Sequence, residues 1–180
     1  MKPLAFILLC FGCEPTVAPS GAEGRGDPER EALDNEYRRL TRRYNETTGA
    51  SLLSVDDVMG RLDSGHPVVL LDVREPEEHR VSSLPGARLL PPSKVAEAKL
   101  ELPPEATVVT YCTAGYRSGI AAVELAKRTG RPVYNLDGGI IAWFNAGGEV
   151  RNPSGQKVDT IHPYGKEWAK YVHPRDGAKP

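Results

Sequence analysis

From Ala50 onward, the spacing of apolar residues alternates between a strand-like and a helical pattern. Four short apolar runs predict strands at 68–73, 87–90, 107–111 and 133–136. Helical spacing predicts helices at 55–62, with Ser54 as N-cap, and at 94–99, 118–129 and 140–146. Strands that alternate with helices indicate an α/β fold, with a central, mostly parallel sheet covered by helices on both faces.

Two further segments flank this region. A helix is predicted from Pro28 to about Tyr44, because Asp27 can cap its first turn and four apolar side chains share one face: Leu33, Tyr37, Leu40 and Tyr44. Its late arginines are expected to complement the helix dipole, although a patch for anionic lipid or substrate is the alternative. Beyond residue 150 the spacing of Tyr164, Trp168 and Tyr171 predicts a short terminal helix that packs on the domain.

The N-terminus has the features of an export signal. Met1-Lys2 precedes an apolar stretch over residues 4–11, which is too short to span a bilayer, and Gly12-Cys13 follows. This pattern resembles a bacterial lipoprotein signal, which implies lipidation of Cys13 and attachment to a membrane on the periplasmic side of the cell envelope. A plain secretory signal cleaved nearby, or an unprocessed N-terminus, is the alternative.

These patterns together predict five parts of the chain. They are a signal segment 1–13, a flexible linker 14–27, an N-terminal helix segment 28–48, an α/β domain 49–150 and a C-terminal extension 151–180.

Charge and cysteine usage narrow the range of functions. The formal net charge is -1. The chain therefore lacks the excess of basic residues that would indicate nucleic-acid binding. The three cysteines are Cys10, Cys13 and Cys112. If Cys13 is lipidated, Cys112 is the only free thiol of the mature chain, and a lone thiol in an exported protein is typically reactive or joined to a partner.

Cys112 is the residue most suggestive of chemistry. It ends the apolar run 107–111 and opens a tight loop, and a helix pattern rich in small residues follows at once. This order places the sulfur over backbone N–H groups and the positive end of a helix dipole, and both favour the reactive thiolate. The sequence therefore predicts a sulfur nucleophile at Cys112.

Four segments, in this order over residues 51–148, resemble the single-domain rhodanese family of sulfurtransferases. They are Asp72-Val73-Arg74-Glu75 with Glu78, Leu84-Pro85-Gly86-Ala87, the six-residue loop from Cys112 to Arg117, and Leu136-Asp137-Gly138-Gly139-Ile140 through Trp143. The resemblance implies a rhodanese-like fold and transfer of sulfane sulfur through a persulfide on Cys112. It implies no metal and no organic cofactor.

The loop chemistry supports that reading. A persulfide is anionic and needs several N–H donors, which a loop with Ala114 and Gly115 can supply. Arg117 can attract a small anionic donor such as thiosulfate, and Ser118 can cap the next helix or donate to the bound anion. The predicted substrate-binding residues are therefore Thr113, Ala114, Gly115, Tyr116, Arg117 and Ser118, together with Asp72 and Arg74.

Some of these assignments have alternatives. Asp72 and Arg74 could instead form an ion pair that fixes the end of a strand. The family often has a basic residue where Thr113 stands, so this loop carries less positive charge to attract thiosulfate, and the family's usual His is replaced near Ser83. The acceptor is expected to be a thiol or a cyanide-like nucleophile.

Two other functions compete with sulfur transfer. A cysteine-dependent phosphatase or arsenate reductase is the enzyme alternative, but phosphatases have five residues between Cys and Arg, whereas four separate Cys112 from Arg117. A loop this short fits one sulfur atom better than a tetrahedral oxyanion. The other alternative is a non-catalytic sulfur carrier that hands a persulfide to a partner.

Overall fold

The computed structural model describes residues 27–175, in which a five-stranded sheet carries helices on both faces. The strands of this sheet are β1 (Leu52–Leu53), β2 (Val68–Asp72), β3 (Arg88–Leu89), β4 (Thr107–Tyr111) and β5 (Val133–Leu136). The helices are α1 (Pro28–Thr48), α2 (Val55–Asp63), α3 (Pro76–Val81), α4 (Pro92–Val95), α5 (Tyr116–Thr129), α6 (Gly139–Asn145) and α7 (Lys166–Ala169). A separate antiparallel hairpin pairs β6 (Val150–Arg151) with β7 (Lys157–Val158).

Every strand pair in the main sheet is parallel, and the spatial order is β1-β5-β4-β2-β3. This arrangement confirms the predicted α/β class. The register pairs Asp72, at the end of β2, with Tyr111, at the end of β4. Cys112 therefore leaves the sheet beside the carboxyl end of β2, at the edge where sites form in parallel sheets.

Strands β2 and β4 are largely apolar because helices cover both of their faces. One face packs against α1 and α6, through residues that include Leu70, Val109, Tyr37, Ile140 and Phe144. The opposite face packs against α5, through residues that include Leu71, Val108, Ala121, Ala122 and Leu125. The two layers bury β4 from both sides and so position the start of the loop that carries Cys112.

Several predicted elements are corrected by the structure. The helix predicted at 94–99 was wrong in its bounds: α4 begins at Pro92, a favoured first position, and ends at Val95. The residues that follow pack against the core without a helix, through Ala98, Leu100 and Leu102. Strands β1, β6 and β7 were not predicted, because two-residue strands have no readable periodicity.

The termini of the described region also differ from expectation. Helix α1 is confirmed with Asp27 as its cap, but it continues to Thr48, one turn beyond Tyr44. The terminal helix α7 has four residues and begins after Tyr164, so Tyr164 does not share its face. The predicted signal segment with Cys13, and the linker up to residue 26, lie outside the described residues. Within residues 27–175 no helix has both the length and the hydropathy that crossing a bilayer requires.

Candidate active site

Cys112 lies almost fully buried at a cavity of about 300 Å³. Its sulfur accepts a hydrogen bond from the backbone N–H of Gly115 at 3.2 Å and another from the Ser118 hydroxyl at 3.4 Å. Gly115 has a φ of 102°, a conformation that glycine adopts without a steric penalty, and it directly precedes α5. These donors and the helix N-terminus place positive partial charge beside the sulfur.

Helix α5 begins two residues earlier than the sequence predicts. Tyr116 and Arg117 therefore belong to its first turn rather than to the loop. First-turn N–H groups have no partner within the helix, so this start leaves the N–H groups of Tyr116 and Arg117 as donors at the end of the helix that adjoins the Cys112 loop.

The N-terminus of α6 supports the loop from behind. The N–H of Ile140 donates to the Cys112 carbonyl at 2.9 Å, and the N–H of Ile141 donates to the Thr113 carbonyl at 3.3 Å. A Cβ on Gly139 would overlap both carbonyl oxygens, so only glycine allows α6 to approach this closely. The Gly138-Gly139 pair therefore positions the loop directly.

A buried chain of amides joins α1 to the same loop. The Asn135 side chain donates to the Gly115 carbonyl at 2.9 Å and to Asn45 at 3.4 Å, and Asn45 donates to Asp137 at 2.9 Å. The Tyr37 hydroxyl donates to the Gly138 carbonyl at 2.6 Å. The sequence did not predict the roles of Asn45 and Asn135. A single asparagine in a helix or a strand belongs to no sequence pattern that would show which residue it hydrogen-bonds.

Arg117 is the cation of the cavity, and it is paired. Its guanidinium donates to the two carboxylate oxygens of Glu78 at 2.7 and 2.8 Å, and the Thr113 hydroxyl donates to the same carboxylate at 2.9 Å. Burial alone would lower the pKa of Arg117, but Glu78 and the neighbouring Cys112 raise it above its ordinary value. Burial alone would raise the pKa of Glu78, but Arg117 and Thr113 lower it on balance. The pair is thus ionised and fixed.

Asp72 and Arg74 do not reach the cavity. Both side chains are fully buried and form an ion pair of 2.6 Å, and the same Asp72 carboxylate oxygen lies 2.8 Å from both the Tyr111 hydroxyl and His79 Nδ1. Arg74 also donates to the Ser82 carbonyl at 2.6 Å. The expectation that they bind substrate is corrected, because no part of either side chain is accessible; the alternative, an ion pair that fixes the strand end, is what the structure has.

The remaining predicted site residues either line the cavity or contact the Cys112 sulfur. Thr113, Ala114, Tyr116 and Arg117 line it, whereas Gly115 and Ser118 contact the sulfur from within the loop and the first turn of α5. Three aromatic residues outside the predicted site complete the wall: Tyr44, Tyr164 and Trp168. Their spacing predicted packing, and nothing in it indicated a contact with Cys112. Within residues 27–175 no group of three or more His, Cys, Asp or Glu side chains is placed to hold a metal ion.

A parallel sheet covered by helices, with a cysteine loop at its carboxyl edge, is the architecture expected of a rhodanese-like domain. The family model described as "Rhodanese-like domain" matches residues 54–146, and the chain belongs to that family.

Curated relatives include sulfurtransferases. A sulfurtransferase of Allochromatium vinosum is 37% identical over 95 residues, which are 53% of this chain and 89% of that protein. The probable adenylyltransferase/sulfurtransferase MoeZ of Mycobacterium tuberculosis is 39% identical over 84 residues, which are 46% of this chain and 21% of that protein. The chain thus spans only about a fifth of MoeZ.

Solved structures share the fold. The thiosulfate sulfurtransferase of Pseudomonas aeruginosa superposes with a TM-score of 0.54 at 24% identity, over 71% of this chain and 25% of that one. The BH2092 protein of Bacillus halodurans superposes with a TM-score of 0.52 at 23% identity, over 71% of this chain and 90% of that one.

Proposed function

We propose that this protein transfers sulfane sulfur from a donor such as thiosulfate or a polysulfide to a thiophilic acceptor, a thiol or cyanide, through a persulfide on Cys112. The observation that carries this proposal is the position of the Cys112 sulfur. It lies at an open cavity with hydrogen-bond donors at 3.2 and 3.4 Å. Relatives that share the family are named sulfurtransferases, which agrees with this chemistry.

The first half of the reaction loads the cysteine. The Cys112 thiolate attacks the sulfane sulfur of the donor, a new S–S bond forms, and the donor's own S–S bond breaks. The leaving group departs with the bonding electron pair, as sulfite in the case of thiosulfate, and no proton is transferred. The N-terminal turn of α5 and the Gly115 N–H stabilise the negative charge that the persulfide then carries.

The second half returns the cysteine to its starting state. The acceptor attacks the outer sulfur of the persulfide, the S–S bond to Cys112 breaks, and the thiolate is the leaving group. Hydrogen-bond donors that stabilise the Cys112 thiolate favour the ionised nucleophile in the first half and the departure of the thiolate in the second half. The same hydrogen bonds from Gly115 and Ser118 therefore serve both halves.

Intact-mass measurement after incubation with thiosulfate or a polysulfide tests the proposal. We expect the protein to gain one sulfur atom, and cyanide to remove it with release of thiocyanate. Hydrolysis of an aryl phosphate without any sulfur adduct would overturn sulfur transfer in favour of a phosphatase. A stable adduct that never turns over would favour a carrier that delivers sulfur to a partner protein.

We further propose that the protein is exported and anchored by a lipid on Cys13, on the periplasmic side of the cell envelope. The apolar stretch followed by Gly12-Cys13 supports this. Metabolic labelling with a radioactive fatty acid is expected to mark the wild-type chain and Cys10→Ala but not Cys13→Ala. Labelling that survives Cys13→Ala would show that the lipid is not on Cys13.

A further inference from the structure

We infer that the cavity above Cys112 selects a sulfur donor with an aromatic or apolar body over an inorganic anion; this inference rests on the proposed function. The wall of the cavity carries four aromatic side chains from three parts of the chain. Tyr44 belongs to α1, Tyr116 to α5, and Tyr164 and Trp168 to the C-terminal extension. Two of these parts lie outside residues 54–146, which match the family model, so the wall is largely built by segments added to the domain.

The aromatic side chains of the wall pack on one another. The ring centroids of Tyr44 and Tyr116 are 5.3 Å apart, and those of Tyr44 and Trp168 are 6.2 Å apart. Trp168 also packs on Tyr171, at 5.9 Å, and Tyr171 packs on Tyr37 of α1. Rings held by one another lose little freedom when a ligand contacts them, so they favour a flat or apolar partner.

Tyr164 is held at the cavity by an unusual backbone conformation. Its φ is 70°, the one positive value at a non-glycine residue within 27–175. The residue is 56% exposed, and the centroid of its ring lies 4.7 Å from the Arg117 guanidinium carbon. A left-handed tyrosine costs free energy, and such residues cluster where a ligand is clamped. The conformation directs an apolar surface toward the cavity without burying it in the core.

The charge of the cavity does not match an inorganic dianion. Arg117 is the single cation among the described residues that line it, and Glu78 already accepts from two of its nitrogens. The Thr113 hydroxyl also donates to Glu78 and is not free for an anion. Thiosulfate, with two negative charges, therefore finds no unpaired cation in the wall, whereas an aromatic donor finds several ring faces.

Thiosulfonates are suitable probes because the reacting sulfur stays the same while the body changes. The Cys112 thiolate attacks the terminal sulfur of R–SO₂–S⁻, the new S–S bond forms, and the donor's S–S bond breaks. A sulfinate, R–SO₂⁻, leaves with the electron pair, so atoms and charge balance without an oxidant or a proton. Methanethiosulfonate and benzenethiosulfonate carry the same charge and differ only in R.

The experiment measures kcat/KM for thiosulfate, methanethiosulfonate and benzenethiosulfonate, with cyanide as acceptor. In the wild-type protein we expect benzenethiosulfonate to exceed methanethiosulfonate by roughly 5- to 100-fold, as expected for contact with one or two rings. In Tyr164→Gly and Trp168→Ala we expect this preference, the ratio of the two kcat/KM values, to fall at least several-fold. Intrinsic reactivity of the donors cancels when wild-type and variant preferences are compared.

Two features keep the test decisive. Tyr164→Gly removes a ring at a position where glycine suits the backbone, so the fold is expected to survive even if Trp168→Ala loosens the extension. Ile120→Ala removes an exposed apolar side chain from α5 outside the cavity, and its donor preference is expected to equal that of the wild type.

The possible outcomes distinguish a failure of aromatic donor selection from a failure of the proposed sulfur transfer. Sulfur uptake from every donor at similar rates, or a preference unchanged in both aromatic variants, would overturn the aromatic selection and leave sulfur transfer intact. The same holds if thiosulfate proves the best donor. No sulfur uptake from any of the three would instead overturn the proposed function.

Discussion

Cys112→Ser is expected to lower sulfur transfer by roughly 10⁴-fold or more and to prevent the gain of a sulfur atom in the intact mass. Serine has nearly the same size and can keep the hydrogen bonds that Gly115 and Ser118 offer. Its hydroxyl, however, remains protonated near neutral pH, and its oxygen is a poor nucleophile toward sulfur and a poor leaving group. The measurement is thiocyanate release from a sulfur donor and cyanide.

Ser118→Ala is the matched variant for this prediction. It leaves the nucleophile in place and removes one of the two hydrogen bonds to its sulfur, so we expect a loss of roughly ten- to a hundredfold. Circular dichroism should show both variants folded. Retention of more than a small fraction of activity in Cys112→Ser would show that the sulfur is carried by another group.

Asp72→Asn is expected to have the largest effect on stability, a loss of about 3–5 kcal/mol in the free energy of unfolding. The substitution keeps the shape of the side chain but removes the negative charge that faces the buried Arg74 guanidinium. Arg74 keeps the Ser82 carbonyl as an acceptor, which does not neutralise its charge. The Tyr111 hydroxyl also loses a charged acceptor. Urea unfolding, followed by fluorescence, measures the loss.

Two comparisons show whether the unpaired buried charge causes this loss. Glu77→Gln breaks an exposed ion pair between Glu77 and Arg80, both in α3. It is expected to change the free energy of unfolding by no more than about 0.5 kcal/mol. The double variant Asp72→Leu/Arg74→Met removes both charges and is expected to be more stable than Asp72→Asn. A double variant as unstable as the single one would mean that packing, not charge, dominates.

The same ion pair gives stability a predictable dependence on pH. Burial alone would raise the pKa of Asp72, but hydrogen bonds from Arg74 and His79 hold it below its ordinary value of 3.8. A folded-state pKa below the unfolded one means that the stabilisation is complete above about pH 4 and is lost as pH falls toward the lower folded value. The pKa of Glu78 is lowered in the same direction. In acid, the wild type should therefore lose stability more steeply than Asp72→Asn.

The sequence by itself determined the class of fold and the position of the nucleophile. Short, largely apolar runs at 68–72 and 107–111 are typical of strands covered on both faces. Glycine and small residues after Cys112 indicated a tight loop before a helix, because local backbone geometry depends on nearby residues. These features are local or periodic, so they can be read from the chain.

Only the tertiary structure decided what surrounds the sulfur. Asp72 and Arg74 are buried together with Tyr111, and Arg117 is paired with Glu78, because residues from separate parts of the chain meet there. The aromatic wall of Tyr44, Tyr164 and Trp168 is the clearest case. Those residues come from the two ends of the described region, and their spacing indicated only that they pack. Long-range contacts leave no periodic signal in sequence, because they are fixed by how the folded elements meet.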